Sequence, residues 1–277
     1  MDRRVVVVYK SDNDDIGEAL AKLRKELDGF NPTYIPREQL LEQDTRNALV
    51  IIAGGDGTLL GASHRILDNY SIVLGVRLNS KSKGYYTTTN LNGLAYLVAR
   101  VLNRKFVGYK IDRLPRLECV MHTDSGNWVK TDLAINEFLI SNTCPYLPSR
   151  YTIKVVDNRG YEEGAGEYQR SSGVVISTMQ GFTGWVKNIP GSIEPDNPEN
   201  ISVVVRECME STKVCNKVFP YNLTSFLVDT SHQKLFIISE MHRGFVVPDA
   251  FDEYPFNRGT EIEIRMSDHP LNLVRRV

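Results

Sequence analysis

The chain has 277 residues, 42% of them apolar, and its 33 basic side chains nearly balance 34 acidic ones. This length supports one large or two modest domains with a substantial core, which excludes a disordered chain. The net charge of −1 gives no general attraction to nucleic acid or to an anionic membrane surface. No apolar run approaches the roughly 20 residues that cross a bilayer, and the start of the chain lacks the apolar segment of a secretion signal. We therefore expect a cytoplasmic protein without a nucleic-acid or membrane partner.

Strand and helix patterns alternate through the first hundred residues. Short apolar, largely β-branched runs predict buried parallel strands at 4–9, 49–53 and 71–76. Apolar residues at helical spacing predict helices at 16–27, 59–67 and 91–102. This alternation predicts a Rossmann-like α/β domain over residues 1–105, whose ligands would lie beyond the carboxyl ends of the strands.

The remaining residues, 106–277, have a different pattern. Short β-rich runs between turn signals predict strands at 117–122, 151–156, 173–177, 201–206, 225–228, 234–239, 245–247 and 261–266. No long amphipathic helix is indicated among them. We therefore predict an all-β second domain of the β-sandwich type.

Cysteines and histidines form no metal-binding pattern. The four cysteines include no C-x-x-C pair and the five histidines no H-x-x-x-H pair, so we predict neither a zinc site nor a disulfide framework. Cys208 and Cys215 are interpreted as ordinary thiols in a strand and its turn.

The most informative segment is the sequence GGDGT at residues 54–58, which directly follows a predicted buried strand. Glycines permit close approach to the backbone, and the N–H groups at the start of the following helix would attract a phosphate. A tight hairpin turn at Asp56-Gly57 is the structural alternative. Helical spacing after Thr58 favours the phosphate site. A carboxylate among phosphate-binding amides would repel the ligand unless Asp56 binds Mg²⁺ or accepts a proton.

Further elements accompany this turn. They are AINEFLI at 134–140, SSGVVISTMQGFTGW at 171–185, KSKG at 81–84 and FNRG at 256–259. Together with GGDGT they resemble the NAD kinase family, whose superfamily also contains the diacylglycerol kinases. The continuation LLGAS at 59–63 is similar to NAD kinases and lacks the Asn-Glu pair typical of lipid kinases. The SSG sequence, Trp185 and the KSKG segment resemble the branch typified by mitochondrial NAD kinases.

The resemblance implies a role for each matching residue. Asp56 would act as general base on, or orient, the 2′-hydroxyl of the adenosine ribose of NAD, with ATP as phosphoryl donor and Mg²⁺ as cofactor. The nucleotide phosphates would contact Lys10, Gly54, Gly55, Gly57 and Thr58. The dinucleotide would contact Asn136, Glu137, Thr178, Gly181, Thr183, Gly184 and Trp185. The family also implies a homodimer or homotetramer, with the active site in a cleft between Asp56 and these later elements.

Several of these residues have structural alternatives. Lys10 could simply end a strand, the Asn136-Glu137 pair could be a solvent-facing strand end, and Trp185 could anchor a core. The segment GVRLNSKS at 75–82 is one glycine short of a P-loop, but no helical pattern follows it.

Four residues depart from the family pattern. Arg77 stands where the family has asparagine, and Met179, Gln180 and Phe182 replace small or polar residues. Because sites that bind a hydroxyl reject ligands without it, such changes can alter the acceptor without altering the phosphate loop. Two alternatives stay open: a kinase of another small hydroxyl compound (a sugar, polyol or nucleoside), and a non-catalytic nucleotide-binding regulator.

Overall fold

The structure, a computed structural model, describes residues 3–11, 16–78, 84–123, 126–157, 159, 166–209, 211–214, 217–220 and 222–277. Its α-helices are α1 Ile16–Leu27, α2 Glu42–Thr45, α3 Asp56–Ser63, α4 Leu94–Leu102 and α5 Met179–Phe182. Its strands are β1 Arg4–Tyr9, β2 Thr33–Pro36, β3 Ala48–Ala53, β4 Ile72–Arg77, β5 Thr89–Asn90, β6 Tyr109–Leu114, β7 Leu117–His122, β8 Trp128–Lys130, β9 Glu137–Asn142, β10 Ser149–Asp157, β11 Glu167–Ser171, β12 Gly173–Ser177, β13 Asn200–Arg206, β14 Ser211–Val214, β15 Lys217–Pro220, β16 Ser225–Asp229, β17 Gln233–Ser239, β18 Gly244–Pro248, β19 Tyr254–Pro255, β20 Glu261–Met266 and β21 Leu271–Arg276. None of the helices in these ranges is both long enough and apolar enough to span a membrane.

The chain divides into two compact units. The first contains Met1–Leu114 together with His269–Val277, and the second is Pro115–Asp268. This division differs from the predicted boundary at residue 105, because β6 and the distant β21 both belong to the first unit. The two strands pair along their full length, antiparallel to each other. A strand's own alternation does not reveal its partner, so the pairing of β21 with the first sheet was not predicted.

A mainly parallel sheet forms the first unit. Its described strands lie in the order β2-β1-β3-β4-β21-β6, with β5 beside β4, and only β21 and β6 are antiparallel. Every residue of β3 is buried, as its continuous apolar run predicts for a strand covered on both faces. Leu23 and Leu27 of α1 pack in one cluster with Leu97 and Val101 of α4. The carboxyl ends of β1, β3 and β4 lie side by side, at the edge where open α/β sheets bind ligands.

Two six-stranded antiparallel sheets and the hairpin of β14 and β15 form the described part of the second unit. Among the described residues, their strand orders are β11-β10-β17-β20-β7-β8 and β16-β13-β12-β9-β18-β19. Alternate residues of each sheet enter one shared core, such as Tyr151 and Ile153 from β10 and Phe138 and Ile140 from β9. Burying each such side chain contributes roughly 1.5–3 kcal/mol. The predicted order of an α/β domain followed by a β-sandwich domain is confirmed.

Candidate active site

The glycine-rich turn joins the end of β3 to the start of α3. The N–H of Gly54 donates to the carbonyl of Val76 in the neighbouring β4 at 2.9 Å, and α3 begins at Asp56 after the capping residue Gly55. The alternative of a hairpin turn at Asp56-Gly57 is wrong, because a helix follows. The first N–H groups of a helix lack partners within it and attract anions. The turn therefore has a geometry suited to a phosphate group.

Two glycines of the turn differ in their surroundings. A Cβ at Gly54 would lie 2.4 Å from Oγ1 of Thr58, whose side chain is only 7% exposed. A Cβ at Gly57 would meet nothing within 4 Å. Packing inside the protein thus requires glycine at position 54, whereas position 57 leaves an open surface that a ligand can approach.

Asp56 is held by a segment that follows β4. Its Oδ1 accepts the N–H of Tyr86 at 2.8 Å, and its Oδ2 accepts the N–H of Tyr85 at 3.1 Å. That segment is anchored to β4, because the N–H of Thr88 donates to the carbonyl of Gly75 at 2.8 Å. A Cβ at Gly75 would lie 2.5 Å from the carbonyl oxygen of Tyr86, so only glycine permits this approach. The half-buried Asp56 carboxylate is therefore oriented, and its oxygens keep lone pairs for a ligand.

Lys10 directly follows β1 at the same edge of the sheet. Tyr9, the last residue of β1, pairs with Ala53, the last residue of β3. Lys10 and Gly54 therefore leave adjacent parallel strands side by side. The strand register brings the backbone of the predicted phosphate-binding lysine next to the glycine-rich turn.

In the second unit, the turn before β9 is built around Asp249, which the sequence analysis did not single out. Oδ2 of Asp249 accepts the N–H of Ile135 at 2.8 Å, and Oδ1 accepts those of Asn136 and Glu137 at 2.7 and 3.2 Å. The N–H of Asp249 donates in return to the carbonyl of Glu137 at 3.0 Å. Asp249 is only 3% exposed. Its buried carboxylate thereby fixes the backbone of the Asn136-Glu137 pair.

Glu137 begins β9 next to this aspartate. Burial, followed by the negative charge of Asp249, raises the pKa of Glu137 to about 8. The carboxyl of Glu137 therefore carries a proton at neutral pH and can donate a hydrogen bond. Glu137 does lie at a strand end, but it is half-buried and not the solvent-facing side chain of the structural alternative.

Thr178 and Gly181 lie against the same turn. Oγ1 of the fully buried Thr178 donates to the carbonyl of Ile135 at 2.6 Å and accepts the N–H of Gly181 at 3.0 Å. A Cβ at Gly181 would lie 2.0 Å from the carbonyl oxygen of Asn136. These contacts hold the start of α5 against the backbone of residues 135–136. Thr178 and Gly181 therefore contact the turn itself. The sequence analysis had instead predicted that they contact a substrate.

Thr183, Gly184 and Trp185, in contrast, are exposed. The Trp185 side chain is 42% exposed, so the alternative of a core anchor is wrong. The guanidinium of Arg206 lies 5.5 Å from the centre of its ring, in a cation–π arrangement. This stretch therefore presents polar and aromatic surface to solvent.

Comparisons with known proteins give matches over the whole chain. No protein-family model matches the chain. The chain is 27% identical over 274 residues to the NAD kinase of Geobacillus stearothermophilus, a match that covers 99% of this chain and 92% of that protein. The chain is thus similar to an NAD kinase over nearly its whole length. A solved NAD kinase from Archaeoglobus fulgidus in complex with ATP has the same fold, with a TM-score of 0.69, 20% identity and coverage of 99% of this chain and 93% of that one. Yeast NADH kinase complexed with NADH gives a TM-score of 0.77 at 16% identity, covering 100% of this chain and 84% of that one.

Some features that the sequence analysis named lie outside the described residues. They include positions 81–83 of the KSKG segment, most of the P-loop-like sequence after Leu78, and Cys215. The resemblance to the mitochondrial branch rests partly on the KSKG segment and stays a prediction.

Sequence reasoning missed two contributions to the candidate site. Asp249 acts through backbone N–H groups more than 110 residues away in the sequence. The N–H groups of Tyr85 and Tyr86, which hold Asp56, carry no side-chain signature. An aspartate two residues after the predicted strand at 245–247 was the one available signal, and it resembles an ordinary turn residue.

Proposed function

We propose that this protein uses ATP to phosphorylate the 2′-hydroxyl of the adenosine ribose of NAD, giving NADP and ADP. The observation that carries the proposal is the oriented carboxylate of Asp56 at the start of α3, inside a glycine-rich turn suited to phosphate. The names of its full-length relatives support the same reaction.

The first unit supplies the phosphate-binding part of the proposal. Gly55 and Gly57 would bind phosphate oxygens through backbone N–H groups, with Gly54 and Thr58 packing the turn into shape. Lys10 would add a positive charge from the adjacent strand end. Phosphoryl transfer depends mainly on positioning and charge neutralisation, which such a turn provides without further reactive side chains.

Asp56 would accept or orient the proton of the attacking hydroxyl. Each of its carboxylate oxygens accepts one N–H group, which leaves further lone pairs for that contact. The same oxygens fit Mg²⁺, which commonly takes one or two protein carboxylates and completes its coordination with phosphates and water. When bound, Mg²⁺ would neutralise charge on the ATP phosphates.

The second unit supplies the proposed ribose contacts. The protonated carboxyl of Glu137 would donate a hydrogen bond to a ribose oxygen, and the Asn136 side chain would contact the same sugar. Asp249, Thr178 and Gly181 would position this backbone, and the exposed stretch of Thr183, Gly184 and Trp185 would line the dinucleotide.

The test is formation of NADP by the purified protein with ATP and Mg²⁺, in parallel arms with NAD and NADH. We expect Asp56→Asn to lower kcat by at least about 10²–10⁴-fold, the usual contribution of a general base. Glu18→Gln is the matched control, because Glu18 lies on the exposed surface of α1 in the same unit. Thermal unfolding would establish that both variants are folded. Near-native kcat in Asp56→Asn would remove Asp56 from the mechanism.

We also propose that the protein acts in the cytoplasm as a homodimer or homotetramer, as the family resemblance implies. Size-exclusion chromatography with light scattering would measure the assembly. A monomer at micromolar concentration would contradict this part of the proposal.

A further inference from the structure

The first unit contains a second concave site beside the segment that holds Asp56. It is a cavity of about 410 Å³, within the usual size range of small-molecule sites. Its lining is almost entirely polar and comes from the ends of β4, β5, β6 and β21. The residues that line it are Arg77, Gly84, Thr87, Thr88, Thr89, Asn90, Asn92, Tyr109 and Arg276.

The cavity forms where β21 leaves β4. These strands pair at Leu273 and Val73, and one residue further on the hydroxyl of Thr88 donates to the carbonyl of Val274. Beyond this contact β4 pairs instead with the short β5, through Arg77 opposite Asn90. The cavity is therefore lined by strand ends that have separated, and it belongs to the fold of the first unit.

The charged side chains that line this cavity are positive. Two of its lining residues are arginines, and none of them is a carboxylate. Within the described part of the chain, the guanidinium of Arg276 makes no ion pair or hydrogen bond, whereas its neighbour Arg275 pairs with Asp112 at 3.5 Å and lies over the ring of Tyr85. Two positive charges in one polar cavity repel each other, and an anion bound between them would remove that cost.

Arginine matches one class of anion particularly well. Its planar fork binds two oxygens of a phosphate at once, and such charge-assisted bonds are stronger than neutral ones. The side-chain amides of Asn90 and Asn92 add exposed hydrogen-bond donors. We propose that this cavity binds the phosphate groups of a small molecule through Arg77 and Arg276, as an anion site additional to the glycine-rich turn.

The two sites share one segment. Tyr85 and Tyr86 donate their N–H groups to Asp56, and Gly84, Thr87 and Thr88 line the cavity. An anion in the cavity would therefore contact residues that flank, in sequence, the two residues that hold Asp56. The proposal itself does not depend on the kinase activity, because it concerns binding alone.

The experiment is calorimetric titration of the protein with inorganic pyrophosphate at low ionic strength and without Mg²⁺. We expect Arg276→Gln to weaken binding at least about tenfold, the effect of losing one charge-assisted contact. Asn92→Asp, which adds a negative charge to the lining, should weaken binding without removing an arginine. Arg113→Gln is the matched control, because Arg113 is an exposed arginine of β6 outside the cavity.

Parallel arms identify the source of the phosphate. Titrations with ATP and with adenosine distinguish the phosphate groups of a nucleotide from a free phosphate anion. A tenfold loss of ATP affinity in Arg276→Gln would indicate that the cavity binds nucleotide phosphates. A loss of affinity confined to pyrophosphate would indicate that it binds a free anion. The absence of pyrophosphate binding would overturn the proposal. Equal weakening in Arg276→Gln and Arg113→Gln would also overturn it, since only general charge would then be involved. Thermal unfolding checks that each variant is folded.

Discussion

Oδ1 of Asp249 accepts the backbone N–H of Asn136 at 2.7 Å, across 113 positions of sequence. The backbone of residues 135–137 is thus held in place by a residue that follows a different strand, β18. The resemblance predicts ligand contact for Asn136 and Glu137, whereas the residue that holds their backbone lies elsewhere in the chain.

Replacement of Asp249 by asparagine should destabilise the second unit. An amide has one acceptor oxygen, and its NH₂ group would face at least one of the three N–H groups that Asp249 now accepts. Since a buried unpaired N–H costs about 1–3 kcal/mol, we expect Asp249→Asn to lower the free energy of unfolding by about 2–4 kcal/mol in urea titrations. The exposed Glu253 lies in the same loop, and Glu253→Gln should change stability by less than about 0.5 kcal/mol. Equal stability of the two variants would contradict the role of Asp249.

Stability should fall as pH rises between about 4.5 and 8. In this range the folded protein keeps the proton of Glu137, whose pKa is raised from 4.5 to about 8, whereas the unfolded chain releases it. The folded state then binds more protons, so rising pH favours unfolding by at most about 1.4 kcal/mol per pH unit, and the effect ends above the raised pKa. Glu137→Gln keeps a neutral side chain of the same shape and should lose this slope. Urea unfolding of both proteins at several pH values measures the difference, and parallel profiles would show that Glu137 does not titrate in this way.

Two glycine substitutions should separate packing from phosphate binding. Gly54→Ala places a methyl group against the buried Thr58 and should cost about 1–3 kcal/mol of stability. Gly57→Ala lies on the open surface of α3, where alanine is favoured by up to about 1 kcal/mol, so stability should be kept or increased. If phosphate approaches the backbone there, ATP affinity should nevertheless fall. Unchanged ATP binding in Gly57→Ala would exclude Gly57 from phosphate contact.

Thr178→Val tests whether this threonine positions the turn or binds substrate. The substitution keeps the side-chain shape but removes the hydroxyl that joins Ile135 to Gly181, so we expect a loss of about 2–3 kcal/mol of stability and a higher KM for NAD. Thr178→Ser should restore most of both. Thr183→Ala removes an exposed hydroxyl and should leave stability nearly unchanged. A Thr178→Val protein with native stability and lost activity would instead indicate direct substrate contact.

Local patterns of the sequence predicted an element well where its own run of apolar residues indicates that it is buried. The bounds of β7, β12 and β20 agree with the runs at 117–122, 173–177 and 261–266. The strand–turn–helix at Gly54–Thr58 also follows from a buried run, glycines and helical spacing.

The parts that the sequence did not predict depend on distant partners. The helix expected from residue 91 begins at Leu94, and β21 gave no signal at all, because its place is set by β6 and β4. The anchoring of Asp56 and the Asn136 turn uses backbone N–H groups, which every residue carries. Pairings of this kind have no local pattern, and they become visible only when the tertiary fold is known.

Because β21 belongs to the first sheet but lies at the end of the sequence, the first unit is completed after the second unit during synthesis. All of the second unit leaves the ribosome before residues 269–277 do. Until then the first sheet lacks the strand between β4 and β6, whereas the residues of the sandwich are already available. A released chain that is truncated after residue 268 should therefore contain a protease-resistant β-sandwich joined to a protease-sensitive α/β unit, and the glycine-rich turn would reach its final stability only when the last strand is present.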